Sequence, residues 1–278
     1  MKVTPKNSTL PSFETIALER KGRLLTIVLN RPDVLNAVNE QMHCDLEEVF
    51  AFAANDEGSD VLVLTGAGRA FSSGADLAET REGSSDSVDE KGNFDLSKRL
   101  RERYHPIIHA VRDMPKPVVS AVNGPAAGIG CSLALSADLI VAAHSSFFLL
   151  AFVNIGLVPD GGSTAFVPAR IGLARATEMM MLGERVSAEK ALEWGLVNSV
   201  VPDESLQSEA RALVERLAKG PTRSYAGAKA LLNRRVYADL AGQLEAEADG
   251  QREMGKSQDF IEGVMAFAQK REPEFKGH

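Results

Sequence analysis

The sequence predicts an α/β fold of parallel strands joined by helices, followed by a helical C-terminal region. Three observations carry that prediction. Residues 61–64 (VLVL) and 139–143 (LIVAA) are continuously apolar and 117–122 (PVVSAV) is apolar but for Ser120, the character of strands buried on both faces. Helix-period segments alternate with them, and such alternation favours a parallel sheet with helical crossovers. After about Leu206 the pattern is helical almost to the end, with no further buried-strand run. We therefore place the α/β core at residues 1–205 and a helical region, for oligomerisation and active-site cover, at 206–278.

The elements follow in order. Residues 1–12 are polar and carry proline, and read as a loose arm. Residues 16–18 and 24–29 are short apolar runs around Arg20-Lys21-Gly22, a hairpin pattern. Asn39 is placed to cap a helix whose apolar positions Leu46, Val49, Phe50 and Ala53 recur at three- and four-residue steps. The 61–64 strand leads into a glycine-containing loop at 66–77. Residues 79–98 are rich in Ser, Asp and Glu, with almost no apolar content, and read as a mobile loop. A helix from about Ser97 to Arg112 stops at Met114-Pro115, because proline cannot continue it. The 117–122 strand closes at Asn123-Gly124-Pro125. A helix is expected over 126–137, strands over 139–143 and 147–150, a turn over 156–162, helix to Gly183, and strand character over 194–201.

The composition excludes several classes. The chain has 278 residues, 44% hydrophobic and 25% charged, with 23 Gly and 12 Pro. These values fit one large globular domain, or one with a small appendage, and exclude disordered, collagenous and disulfide-scaffold proteins. A formal charge of −7 argues against a nucleic-acid or anionic-membrane partner. Cys44 and Cys131 are the only cysteines, as expected in a reducing cytosol. No apolar run is long enough to span a bilayer, and the N-terminus lacks an apolar signal region, so the expected location is the cytoplasm.

Three stretches could carry chemistry. In 71–77 (FSSGADL), small residues after a buried strand let backbone N–H groups approach a ligand; read alone, an ordinary surface loop is the plainer explanation. In 123–132 (NGPAAGIGCS), glycines at a strand-to-helix junction expose first-turn N–H groups that favour a negative oxygen. Close packing of helix on strand also calls for glycine there. In 158–162 (VPDGG), Pro-Asp-Gly is a turn signature in its own right, and spacing alone makes Asp160 a turn residue. His105 and His109 share a helix face but lack a third ligand, so no metal site is expected. Ser132 resembles the serine of a hydrolase elbow, yet it falls inside the expected helix rather than on the turn after a strand.

Taken together, the loops have a recognisable order. Residues 29–37 (LNRPDVLNA), 65–77 (TGAGRAFSSGADL), 115–139 (PKPVVSAVNGPAAGIGCSLALSADL), 155–162, 191–197 (ALEWGLV) and 261–270 (IEGVMAFAQK) resemble the crotonase superfamily, the enoyl-CoA hydratase/isomerase family, over nearly the whole chain. The resemblance implies a spiral of repeated ββα units, terminal helices that build trimers or dimers of trimers, and an acyl-CoA thioester as substrate. It implies no separate cofactor, because coenzyme A is part of the substrate. By motif position, the backbone N–H groups of Ala75 and Ile129 would hold the thioester oxygen. Ile129 stands where glycine is usual, which is tolerable because the N–H is the group used. Contacts to coenzyme A or the acyl group are expected from Arg31, Ser73, Gly74, Asp76, Leu77, Gly128, Gly130, Phe152, Phe267 and Lys270. For Arg31 and Lys270 a solvated surface charge explains the residue equally well.

Family hydratases carry two glutamates that handle a water molecule, and the matching positions here are Ser132 and Phe152. Neither can act as a base near neutral pH. Asp160 remains, at a place where dienoyl-CoA isomerases, the ring-epoxide phenylacetyl-CoA isomerase group and 4-chlorobenzoyl-CoA dehalogenase carry an aspartate. The string 156–162 is most similar to the ring-epoxide group. The resemblance thus implies an enoyl-CoA double-bond isomerase with Asp160 as proton shuttle. Ile129, Phe148 and Phe152 are expected to form an apolar surround that raises its pKa. Enoyl-CoA hydration is the alternative. A dehalogenase, with His105 matching but Phe152 where tryptophan is needed, ranks lower, as do a Ser132 hydrolase and a non-catalytic acyl-CoA binder.

Overall fold

A computed structural model of the chain describes residues 10–76 and 95–278. Most of the 1–12 arm, most of the 79–98 loop and Leu77 therefore lie outside the described residues.

A six-stranded sheet runs β1 (Ile16–Lys21), β2 (Leu24–Leu29), β3 (Val61–Gly66), β4 (Val118–Val122), β6 (Leu139–Ala143) and β9 (Ser199–Val201). β1 and β2 form the expected antiparallel hairpin, and every later neighbour is parallel. A second, three-stranded sheet pairs β5 (Ala126–Ala127) with β7 (Phe147–Leu149) and β7 with β8 (Val186–Ser187). The chain thus visits the large sheet, then the small one, then a helix, and repeats: β4, β5, α3 (Ile129–Leu135), then β6, β7 and α4 (Ser163–Leu182). The Ser72–Ala126 bridge extends the same pattern back to the turn after β3.

The apolar strands follow from what covers them. Side chains alternate along β3. Leu62 and Leu64 enter one core with α1 (Glu40–Asn55) and α2 (His105–Arg112). Val61 and Val63 enter a second core, closed by Leu206, Ala210 and Val214 of α6 (Leu206–Ala218). A strand covered on both faces can spare no polar position, hence VLVL. Asn39 caps α1 as expected, its side chain accepting from Met42 N at 2.9 Å. α2 is entered through a π-helical turn, Leu100–Tyr104, and the helix stops before Pro115.

Two expectations need correction. Residues 126–137 are not one helix: Ala126 and Ala127 pair with Phe148 and Leu149 as β5, and the helix starts only at Ile129. Trp194 is not in a strand but ends α5 (Ala188–Trp194), which Gly195 stops in the left-handed region. The C-terminal half continues with α7 (Thr222–Val236), α8 (Leu240–Met254) and α9 (Gln258–Gln269). No described helix is long and apolar enough to cross a membrane.

Candidate active site

Two glycine loops meet edge to edge. Gly74 has φ +96°, and a Cβ there would lie 2.8 Å from the Ala127 carbonyl oxygen, so the approach is open only to glycine. A Cβ on Gly128 would lie 3.8 Å from Gly74 Cα. The loop geometry then aims the next N–H groups. Val38 pairs in parallel with Ala75, its N–H bonding Gly74 O at 2.8 Å and its carbonyl accepting from Asp76 N at 3.0 Å. In such a pair the middle residue's N–H points the other way. Ile129 opens α3 behind Gly128, which offers no capping side chain, so its N–H is one of the orphan first-turn donors. Among the described residues neither Ala75 N nor Ile129 N finds an acceptor.

Buried polar groups hold the first loop. Ser72 is fully buried; its hydroxyl donates to Asn36 O at 2.8 Å and accepts from Gly74 N at 3.2 Å. Asn36, in the left-handed region, donates to Ala67 O at 2.9 Å and Ala70 O at 2.8 Å. Ser73 is tied by its N–H to Leu35 O at 2.9 Å. Gly130 serves packing, since a Cβ there would meet Ser72 Cβ at 2.6 Å.

The third stretch closes over the second. A Cβ on Gly161 would lie 2.4 Å from Ile129 Cδ1 and 2.8 Å from Ser132 Cβ, so the Asp160-Gly161 turn sits directly on the start of α3. Asp160 is 5% exposed. Its Oδ2 accepts from Gln251 Nε2 at 3.1 Å, and its Oδ1 is buried with no hydrogen-bond partner among the described residues. Burial, reinforced by the Glu247 carboxylate, pushes the Asp160 carboxyl well above the usual carboxylate range; Arg99 and the Gln251 bond oppose the shift. Phe152, on the short 3₁₀ turn Ala151–Ile155, is buried, and its ring edge would meet a Gly128 Cβ at 3.9 Å.

Glu247 and Gln251 of α8 are the residues sequence reasoning missed. Glu247 accepts from Gly162 N at 2.7 Å and Thr164 N at 3.0 Å, capping α4, whose own N-cap glycine has no side chain to do so. Their signal in the sequence is faint: two polar positions four apart in a helix whose neighbours Leu244 and Ala248 are buried.

The expected outer contacts are scattered. Arg31 pairs with Asp76 at 2.9 Å and donates to Ala37 O at 2.6 Å, bracing the Ala75 loop from behind. Phe267 is 61% exposed, and Lys270 is exposed in the left-handed residue that ends α9. Leu77 lies outside the described residues.

A family model described as enoyl-CoA hydratase/isomerase matches residues 19–278. The chain belongs to the enoyl-CoA hydratase/isomerase family. It is 42% identical over 255 residues to the 1,2-epoxyphenylacetyl-CoA isomerase of Escherichia coli, covering 91% of this chain and 95% of the relative. It is 41% identical over 267 residues to a probable enoyl-CoA hydratase of Rhodobacter capsulatus, covering 96% and 99%. Among solved structures, an enoyl-CoA hydratase from Mycobacterium avium subsp. paratuberculosis superposes with a TM-score of 0.84 at 36% identity, covering 95% and 100%.

Ser132 and Phe152, the positions at which the resemblance places the hydratase glutamates, carry no carboxylate. Ser132 is fully buried inside α3 and donates to Asp160 O at 2.7 Å. What the described residues offer is two backbone N–H groups without acceptors, on loops that meet at Gly74 and Gly128, the buried Phe152 ring, and one buried carboxyl.

Proposed function

We propose that this acyl-CoA enzyme is an enoyl-CoA double-bond isomerase in which Asp160 shuttles the proton. The observation that carries the reading is the Asp160 carboxyl: buried, on a turn whose next residue packs on the start of α3, with one oxygen held and the other unpaired among the described residues. The Ala75 and Ile129 N–H groups receive the thioester oxygen. Asp160 takes a proton from the carbon next to the thioester. The electron pair left behind moves into the carbonyl, and its charge rests on the oxygen between the two donors. Donors fixed in advance cost no reorganisation at that moment, and removing one typically costs about 10²–10³-fold in rate. The same carboxyl returns the proton two carbons along, which shifts the double bond with no activated water.

The name of the Escherichia coli relative, an epoxyphenylacetyl-CoA isomerase, supports isomerisation over hydration, as do Ser132 and Phe152 at the positions where the resemblance places the hydratase glutamates. Hydration is the second reading, favoured by the name of the Rhodobacter relative. No cofactor beyond the coenzyme A of the substrate is called for. A homotrimer or dimer of trimers in the cytoplasm, with Arg31 and Lys270 toward the CoA phosphates and Phe267 toward the acyl end, completes the proposal. The test is turnover of 3-enoyl, 2-enoyl, dienoyl and arylacetyl CoA esters by wild type and Asp160→Asn. The variant is expected to bind acyl-CoA but not isomerise it. Full activity in Asp160→Asn, or hydration of crotonyl-CoA as the fastest reaction, would overturn the proposal.

A further inference from the structure

The turn that carries Asp160 is gripped at both ends by one face of α8. Glu247 holds the far side, through Gly162 N at 2.7 Å and the N–H and hydroxyl of Thr164. Gln251, one helical turn later, holds the near side: its Nε2 donates to Val158 O at 2.6 Å and to Asp160 Oδ2 at 3.1 Å. Both are as buried as core residues, Glu247 at 3% and Gln251 at 1% exposure. Helix α8 otherwise buries Leu240, Leu244 and Ala248, so an apolar residue at 251 would be the cheaper occupant of an interior position.

The two grips differ in kind. Every bond from Glu247 goes to the start of α4, which is what a capping carboxylate does. Gln251 reaches the carboxyl itself. An amide nitrogen has two hydrogens, and both are used here, one on the Val158 carbonyl and one on Oδ2. The opposite amide orientation would set Oε1 against two acceptors, so the network fixes the nitrogen toward the turn. With Oδ2 held, the Asp160 carboxyl cannot rotate freely, and Oδ1 is the oxygen left to meet a substrate proton.

We propose that Gln251 is a positioning residue for the reaction, its side-chain amide clamping Asp160 Oδ2 so that Oδ1 is presented to the substrate. The inference rests on the reading of Asp160 as the base. Among the described residues the charged and titratable groups that act on this carboxyl are Glu247 on α8, Tyr104 on the π-helical turn before α2, and Arg99 just ahead of that turn. Against the negative Glu247 and a dry surround, the Gln251 donor favours the ionised, proton-accepting form. Its removal therefore both loosens the base and moves the acid limb of the rate profile to higher pH.

The experiment compares wild type, Gln251→Met and Asp160→Asn in deuterium exchange at the α-carbon of 3-hexenoyl-CoA, and in its isomerisation from pH 5 to 9. Methionine fills the same volume without a donor. We expect Gln251→Met to lower kcat about 10–100-fold, the scale set by a misplaced catalytic group. KM should change less than about twofold, with the acid limb displaced upward. Should that variant fail to fold, Gln251→Asn, an amide one methylene too short to reach, is read by the same profile. Wild-type kcat, or a loss equal at every pH with an unmoved limb, while Asp160→Asn is inactive, would reduce Gln251 to packing and leave the base intact. Full activity in Asp160→Asn would overturn both.

Discussion

The Ser132 hydroxyl donates to the Asp160 backbone carbonyl at 2.7 Å. Helix α3 is thereby tied to the turn that carries the aspartate. The hydroxyl proton is spent, and Gly161 packs over the Ser132 Cβ. Ser132→Ala should cost about 1 kcal/mol of stability, the usual net worth of one hydrogen bond. Its kcat should fall less than about tenfold, because the carboxyl and both N–H donors remain. Denaturant unfolding and isomerisation rates check this. Stoichiometric labelling of Ser132 by a fluorophosphonate, with complete loss of activity in the alanine variant, would make it a nucleophile instead.

Gly74 tests the pair of N–H donors. Its φ of +96° already disfavours alanine, and a new methyl would press on Ala127 O at 2.8 Å, pushing the two loops apart. Gly74→Ala should cost more than about 2 kcal/mol and lower kcat about 10²–10³-fold by misplacing the Ala75 donor. Gly22→Ala is the control. Gly22 has φ +60° in the β1–β2 hairpin with open space around it, so only backbone strain of about 1–2 kcal/mol applies and the rate should stand. Equal rates in the two variants would remove Ala75 from the site.

The Asp160 carboxyl links activity and stability to pH in opposite senses. Its folded pKa lies above its unfolded value, chiefly through burial. The protonated side chain is therefore favoured by folding. That advantage is complete below the ordinary carboxylate range and is lost as pH rises through the raised folded value. With Asp160 as the proposed base, turnover needs the ionised form, so kcat/KM should climb over the same interval. Asp160→Asn should match wild-type stability at acid pH and exceed it by about 1–2 kcal/mol near neutrality, the usual gain when a site is freed from its function. Melting temperatures across pH 4–8 measure the gap. A gap that shrinks as pH rises would mean the carboxyl is stabilised as an anion.

The sequence disclosed the parts of this molecule whose causes are local. β3 and β4 announce themselves because both faces are covered, which leaves Val61–Leu64 wholly apolar and β4 with Ser120 as its one polar residue. Asn39 and the proline after Met114 mark helix ends by their own chemistry. The glycine loops were visible because 74 and 128 both need a positive φ, which glycine adopts most readily. β5 was hidden inside an expected helix because two alanines become a strand only by pairing with Phe148 and Leu149. Gln251 and Glu247 were hidden because their partners lie 91 and 85 residues away. On the sequence they are ordinary polar positions of a helix, and only the folded chain turns them inward.

Asp138 joins the helical C-terminal region to the strand core, and its removal should be the costliest of these changes. Its Oδ2 accepts from Val118 N at 2.9 Å and from Lys229 Nζ at 3.0 Å, and Arg112 lies 3.2 Å from its Oδ1. Lys229, on α7, also donates to Val111 O at 2.8 Å. Both cations are buried, at 7% and 6% exposure, so neither can turn to water when the carboxylate goes. Asp138→Asn should cost about 3–5 kcal/mol, the penalty for leaving buried charge unbalanced. Lys229→Met should cost less, about 1–2 kcal/mol, because Arg112 still balances Asp138 and the aliphatic stem still packs. Urea midpoints for the two variants decide the matter. If Asp138→Asn costs no more than Lys229→Met, the cluster is screened by solvent, and α7 is held to the core by its other contacts, the hydrogen bonds of Asn233 with Arg112 among them.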